Sequence, residues 1–99
     1  MYKKSILLFI LIIPWSNLSL AQSENRITIL YDAFGKSNNM IKDWGISALI
    51  EFNGQRILFD TGNDAEIFAH NVETAGINLL DLDFVVASHR HLDHTAGLN

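Results

Sequence analysis

The stretch ISALIEFNGQRILFD, residues 46–60, limits most narrowly what this chain can fold into. Two apolar runs rich in β-branched residues flank Asn53-Gly54. Asn-Gly readily takes the two positive φ angles of a type I′ turn, whose twist matches that of paired strands. Residues 46–52 and 55–60 are therefore expected to form a tight antiparallel hairpin, and the rest of the fold must be built around it.

Upstream, RITILYD (residues 26–32) alternates Ile27 and Ile29 with Thr28 and Leu30 and reads as a strand buried largely on both faces. AFGKSNNMIKDWG follows as a loop longer than a plain hairpin connection, with Trp44 and Gly45 expected to pack and turn before the hairpin. After the hairpin the period changes. In TGNDAEIFAHNVETAG, Ile67, Phe68, Val72 and Ala75 share one helical face. Asn63 or Asp64 is placed to cap that helix, Glu66 suits its first turn, and Gly76 can close it. His70 is expected on its surface. INLLDLD makes a short connection whose Asp81 and Asp83 read as solvated charges. FVVAS, residues 84–88, is apolar on both faces and is expected as a strand interior to the sheet. The order of elements predicts an α/β fold: a mixed sheet containing a strand–helix–strand crossover.

The first residues read differently. Lys3 and Lys4 precede an unbroken apolar run from Ile6 to Ile13, Pro14 breaks it, and Ser19-Leu20-Ala21 gives a small-x-small pattern. That is the layout of a secretory signal peptide, residues 1–21, cut after Ala21. The apolar run is shorter than the roughly 20 residues a membrane span needs. The expected mature protein, residues 22–99, is therefore secreted or periplasmic, with no membrane attachment after cleavage. The chain has no cysteine, so no disulfide can staple a small core. The chain carries 11 acidic against 7 basic residues, and loss of the leader takes two of the latter, for a mature charge of about −6. Such a balance speaks against nucleic acid as a partner.

The candidate chemistry lies in FVVASHRHLDHTAGLN, residues 84–99. A loop leaving the carboxyl end of a strand is where α/β proteins place ligands. His89 and His91 are two apart, so in extended backbone both can face one side while Arg90 points away. Asp93 and His94 follow where the chain turns into a helix, and could serve a second metal or another side of the same one. Imidazole nitrogen with carboxylate oxygen suits zinc, iron or manganese.

SHRHLDH fits His-x-His-x-Asp-His, and with ILFDTG (residues 57–62) upstream the chain resembles the metallo-β-lactamase fold superfamily of metallohydrolases. DWGISALIEFNGQRILFDTGN with SHRHLDHTAGL is most similar to the branch of dihydropteridine-type phosphate synthases of methanogens, although Arg90 and Ala96 stand where that branch often has glycine. The resemblance implies the N-terminal part of an αββα sandwich, with helices on one face of the sheet. It implies that His89 and His91 bind a first metal, Asp93 and His94 a second, and that Asp60 orients a ligand histidine from behind. It further implies a metal-dependent hydrolase, binuclear and holding Zn²⁺, with iron or manganese as alternatives. A metal-held hydroxide, oriented by Asp93 as a catalytic residue, would attack a small-molecule ester, lactone, thioester, amide or phosphoester. Superfamily members carry three further ligands downstream, a histidine, an aspartate and a histidine, which these 99 residues do not contain. Residues 22–99 thus read as an apparently truncated first part of the domain. The competing expectation is a catalytically incomplete fragment that binds metal weakly or acts only through association, including self-association.

Overall fold

The computed structural model describes residues 24–99, so the expected leader lies outside the described residues. Strands β1 (Arg26–Tyr31), β2 (Ser47–Phe52) and β3 (Gln55–Phe59) come first, then helix α1 (Ala65–Thr74) and strand β4 (Phe84–Val86). A short helix α2 (Leu92–Thr95) and a 3₁₀ turn (Ala96–Leu98) follow. The four strands form one sheet in the order β1-β2-β3-β4. β1–β2 and β2–β3 are antiparallel and β3–β4 is parallel, the sign of the crossover through α1.

The β2–β3 hairpin forms as the sequence predicts. Asn53 and Gly54 have φ of 48° and 77°, the positive pair a type I′ turn requires. Helix α1 also follows its signals. Asp64 caps it, its Oδ1 accepting from Glu66 N at 2.9 Å and Ile67 N at 3.0 Å. At the other end Gly76, at φ +67°, lets Ile77 N reach Val72 O and Gly76 N reach Glu73 O. This pair of bonds is a Schellman closure, satisfying carbonyls that the helix end would leave orphaned.

The core lies on the face of the sheet covered by α1. Leu30, Tyr31, Leu49, Leu58 and Phe68 form its centre, with Ile67, Val72 and Ile77 packed around them. Each fully buried Leu or Phe of this set contributes about 1.5–3 kcal/mol. Leu30 and Tyr31 are consecutive yet both buried, because the β1–β2 register slips by one residue between Ile29 and Tyr31. A bulge of this kind re-aims a side chain that strict alternation would send outward.

Two expectations about the strands are corrected. β1 is not buried on both faces: Ile27 is 66% exposed and Ile29 45%. They share with Phe84 and Val86 the sheet face opposite α1, whose outer positions stay exposed. Among the described residues β4 lies at the edge of the four-stranded sheet, and all three of its residues are exposed. An apolar run satisfies a buried strand and an unpaired edge alike, so composition could not separate the two. Asp83 is also more than a solvated charge. Its Oδ2 accepts from Arg56 N at 2.7 Å and its N–H donates to Arg56 O at 2.8 Å, fastening the entry of β4 to β3.

No helix among the described residues is long and apolar enough to cross a membrane.

Candidate metal centre

The site is built where β3 and β4 both end. At the end of β3 the chain turns sharply through Asp60, whose φ of +52° lies in the left-handed region that aspartate tolerates better than most residues. Its N–H still donates to Val86 O at 2.9 Å, extending the parallel ladder by one bond. The turn thereby sends the Asp60 side chain, 1% exposed, under the loop that leaves β4.

The residues Asp60-Thr61-Gly62 clamp that loop. Asp60 Oδ1 accepts from Ser88 N at 2.7 Å, and Oδ2 meets both Ser88 Oγ and His94 Nδ1 at 2.7 Å. Buried Thr61 donates its N–H to His94 O at 2.8 Å and accepts from Gly97 N at 2.9 Å through Oγ1. Gly62 O accepts from Ala96 N at 3.2 Å. Burial works against ionisation of Asp60, but the Ser88 N–H, the Ser88 hydroxyl and His94 outweigh it and hold the carboxyl below its usual range.

Within this frame the expected ligands come together. One ligand atom from each of His89, His91 and Asp93 lies within 4.8 Å of the others. The His89 ring sits 4.7 Å from that of His91 and 4.0 Å from that of His94. His94 joins the group from the Asp93 side, its Nε2 3.3 Å from Asp93 Oδ2. The resemblance divides the four residues into two pairs; here all four gather in one cluster, His94 lying against both His89 and Asp93. Asp60 lies behind His94, not behind His89 or His91.

The donor set fits a divalent metal. With the His94 Nδ1 proton directed at Asp60, the Nε2 lone pair faces a carboxylate oxygen. Two lone pairs 3.3 Å apart are reconciled by a cation or a proton between them. Histidine nitrogens and a carboxylate oxygen gathered within 4.8 Å of one another are the donor types a divalent ion such as zinc takes.

The long loop 32–46 walls one side. Tyr31, almost fully buried, donates its hydroxyl hydrogen to Asp43 Oδ2 and accepts from Asp64 N at 3.1 Å. Burial first, then the Asp43 hydrogen bond and charge, push the Tyr31 hydroxyl pKa well up, while the same bond holds Asp43 below its usual range. Buried Asn71 of α1 grips the loop by both backbone groups of Ile41, at 2.8 and 2.9 Å. Gly45, at φ +114°, lies so close to the Asp93 carbonyl that a Cβ there would overlap it. Trp44, expected to pack, is 66% exposed, and Phe34 is 87% exposed. Both line a cleft of about 360 Å³, largely apolar, that also reaches Asp93 and His94. His70 is exposed, as expected. Tyr31, Thr61, Asn71 and Ser88 were not singled out by the sequence; the one available signal was polar residues set in otherwise apolar or turn-forming stretches.

A mixed sheet with a helix on one face, and a His-x-His-x-Asp-His loop folded over a buried aspartate, define the metallo-β-lactamase fold, a superfamily of metal-dependent hydrolases. The chain belongs to the family described as Anti-Pycsar protein Apyc1, which matches residues 29–99. It is 40% identical over 75 residues to 7,8-dihydropterin-6-methyl-4-(β-D-ribofuranosyl)-aminobenzene-5′-phosphate synthase of Methanocaldococcus jannaschii, covering 72% of this chain and 26% of that protein. It is 36% identical over 50 residues to ribonuclease Z of Methanopyrus kandleri, covering 50% of this chain and 17% of that one. Among solved structures it resembles Tm1679, a metal-dependent hydrolase of the β-lactamase superfamily, with a TM-score of 0.61 and 35% identity over 76% of this chain and 26% of that one. The chain thus spans about a quarter of the first of these relatives.

Proposed function

We propose that the protein carrying this chain is an exported, zinc-dependent hydrolase. The observation that carries this reading is the convergence of His89, His91 and Asp93 within 4.8 Å, over the hydrogen-bonded base of Asp60. When bound, a divalent metal supplies Lewis acidity and lowers the pKa of a water. His89, His91, Asp93 and His94 would hold it. Asp93, half-buried at the mouth of the cleft, positions the attacking water. Asp60 holds the His94 ring so that Nε2 points into the site. The cleft lined by Phe34 and Trp44 excludes water from one side and takes the apolar part of the substrate. The substrate is a small ester, lactone, thioester, amide or phosphoester. A ribonuclease and a 5′-phosphate synthase among the relatives make phosphoesters the first to try. Export rests on the leader pattern of residues 1–21.

The test is hydrolysis of bis(p-nitrophenyl) phosphate and p-nitrophenyl acetate by the full-length protein loaded with zinc. Turnover of at least one is expected, abolished in His89→Ala and Asp93→Ala with the circular dichroism spectrum unchanged. Turnover retained in either variant would sink the reading.

The exposed face bearing Ile27, Ile29, Phe84 and Val86 supports a second reading, in which the 99-residue chain alone acts only through association. Sedimentation of that chain as a monomer at micromolar concentration would remove it.

A further inference from the structure

The network around Asp60 admits one arrangement of protons. Asp60 Oδ1 accepts the Ser88 N–H. Oδ2 has two neighbours at 2.7 Å, Ser88 Oγ and His94 Nδ1. A carboxylate only accepts, so the single hydroxyl proton of Ser88 and the Nδ1 proton of His94 both point at it. Ser88 Oγ has a further neighbour, His89 Nδ1, at 2.9 Å, and a longer contact of 3.4 Å to His94 Nδ1. With its proton committed to Asp60, the hydroxyl can only accept from His89. The proton on that bond must come from His89 Nδ1. Turning the hydroxyl toward His89 instead would leave bare lone pairs of Ser88 facing, at 2.7 Å, a carboxylate that is 1% exposed, the costlier arrangement because the buried acceptor then loses a donor.

We propose that Ser88 is a positioning residue that passes the hold of the Asp60 carboxylate on to His89, so that one buried carboxylate fixes two imidazoles with the proton on Nδ1 and the lone pair on Nε2. His94 is fixed directly and His89 through the hydroxyl. A neutral imidazole has one lone pair, and the bond made by one nitrogen decides which nitrogen is free to ligate. Ser88 therefore selects the ligating atom of His89 before any ion arrives. The consequence for metal binding rests on the reading of His89 as a ligand; the proton arrangement does not.

The experiment is a long-range ¹H–¹⁵N spectrum of the imidazoles in the metal-free full-length protein, at a pH where they are neutral. His89 and His94 are expected to carry their protons on Nδ1. In Ser88→Ala, His89 should move toward the Nε2-protonated form while His94 keeps its tautomer, and Ser88→Thr should restore His89. Zinc affinity, read by competition with a chromogenic chelator, should fall about 10–100-fold in Ser88→Ala and recover to within about threefold of wild type in Ser88→Thr. A wild-type His89 protonated on Nε2 overturns the proposal, as does a Ser88→Ala protein with His89 tautomer and zinc affinity unchanged. Should Ser88→Ala not fold, the wild-type spectrum decides alone. Tautomers as expected in a protein that binds no zinc support the Ser88 relay and sink the metal reading of the site instead.

Discussion

Asp60 Oδ2 lies 2.7 Å from His94 Nδ1, a contact across 34 residues of chain between the end of β3 and the short helix α2. The carboxyl is held below its usual range in the folded protein, so folding favours its ionised form. The stability this contributes is fully present above the unfolded pKa of about 4 and is lost as pH falls through the lower folded value. Asp60→Asn keeps the size and tolerates the left-handed backbone but removes the charge. It should flatten the acid limb of the stability curve, measured by urea unfolding from pH 6 down to pH 3. It should also weaken zinc binding about 10–100-fold.

Tyr31→Phe removes a buried hydroxyl that donates to Asp43 and accepts from Asp64 N. The Asp64 N–H is left without that acceptor, and the loop 32–46 loses its tie to the start of α1. A loss of about 1–3 kcal/mol is expected in chemical denaturation. Faster proteolysis within the loop should accompany it.

Gly45→Ala would place a methyl group against the Asp93 carbonyl, in a backbone region that disfavours side chains. The nearest part able to give is the ligand loop itself. Zinc affinity should therefore fall by more than tenfold while the melting temperature of the metal-free protein changes by only a few degrees. Equal loss of both would show that Gly45 matters only to folding.

Asn71→Ala leaves the N–H and carbonyl of Ile41 without their partner. A destabilisation of about 1–3 kcal/mol is expected. The Ile41 amide should exchange with deuterium much faster than in the wild type, whereas amides of the β2–β3 hairpin should slow or quicken only with global stability.

What could be read from the sequence was local. Asn53-Gly54 sets its turn through two adjacent residues, Asp64 caps a helix two and three residues away, and Gly76 closes it within the same turn. His89, His91, Asp93 and His94 stood out because they are contiguous. What escaped depends on distant partners. Ser88 meets Asp60 across 28 residues, Asn71 meets Ile41 across 30, and Thr61 meets Gly97 across 36. A serine, asparagine or threonine that serves such a partner has no periodicity to announce it; its role is set by which group the fold delivers to it. The exposure of β4 escaped for a related reason, since a three-residue apolar run does not say how many neighbours it will have. The packing expected of Trp44 rested on residue type, whereas the loop's own anchors, Asp43 and Ile41, hold its backbone without needing the ring.

The parallel β3–β4 pair has a consequence for how the protein reaches its native state. β1, β2 and β3 associate through an antiparallel pattern containing a two-residue turn, whose chain closure is fast. β4 pairs with β3 only after the whole crossover has been closed, which costs entropy before any contact rewards it. The ligand loop hangs from β4, and Asp60, Thr61 and Gly62 at the end of β3 are what fasten it to the sheet. The geometry that captures an ion is then a late product of folding, and zinc uptake in a refolding experiment should report the docking of β4 on β3 rather than the collapse of the core.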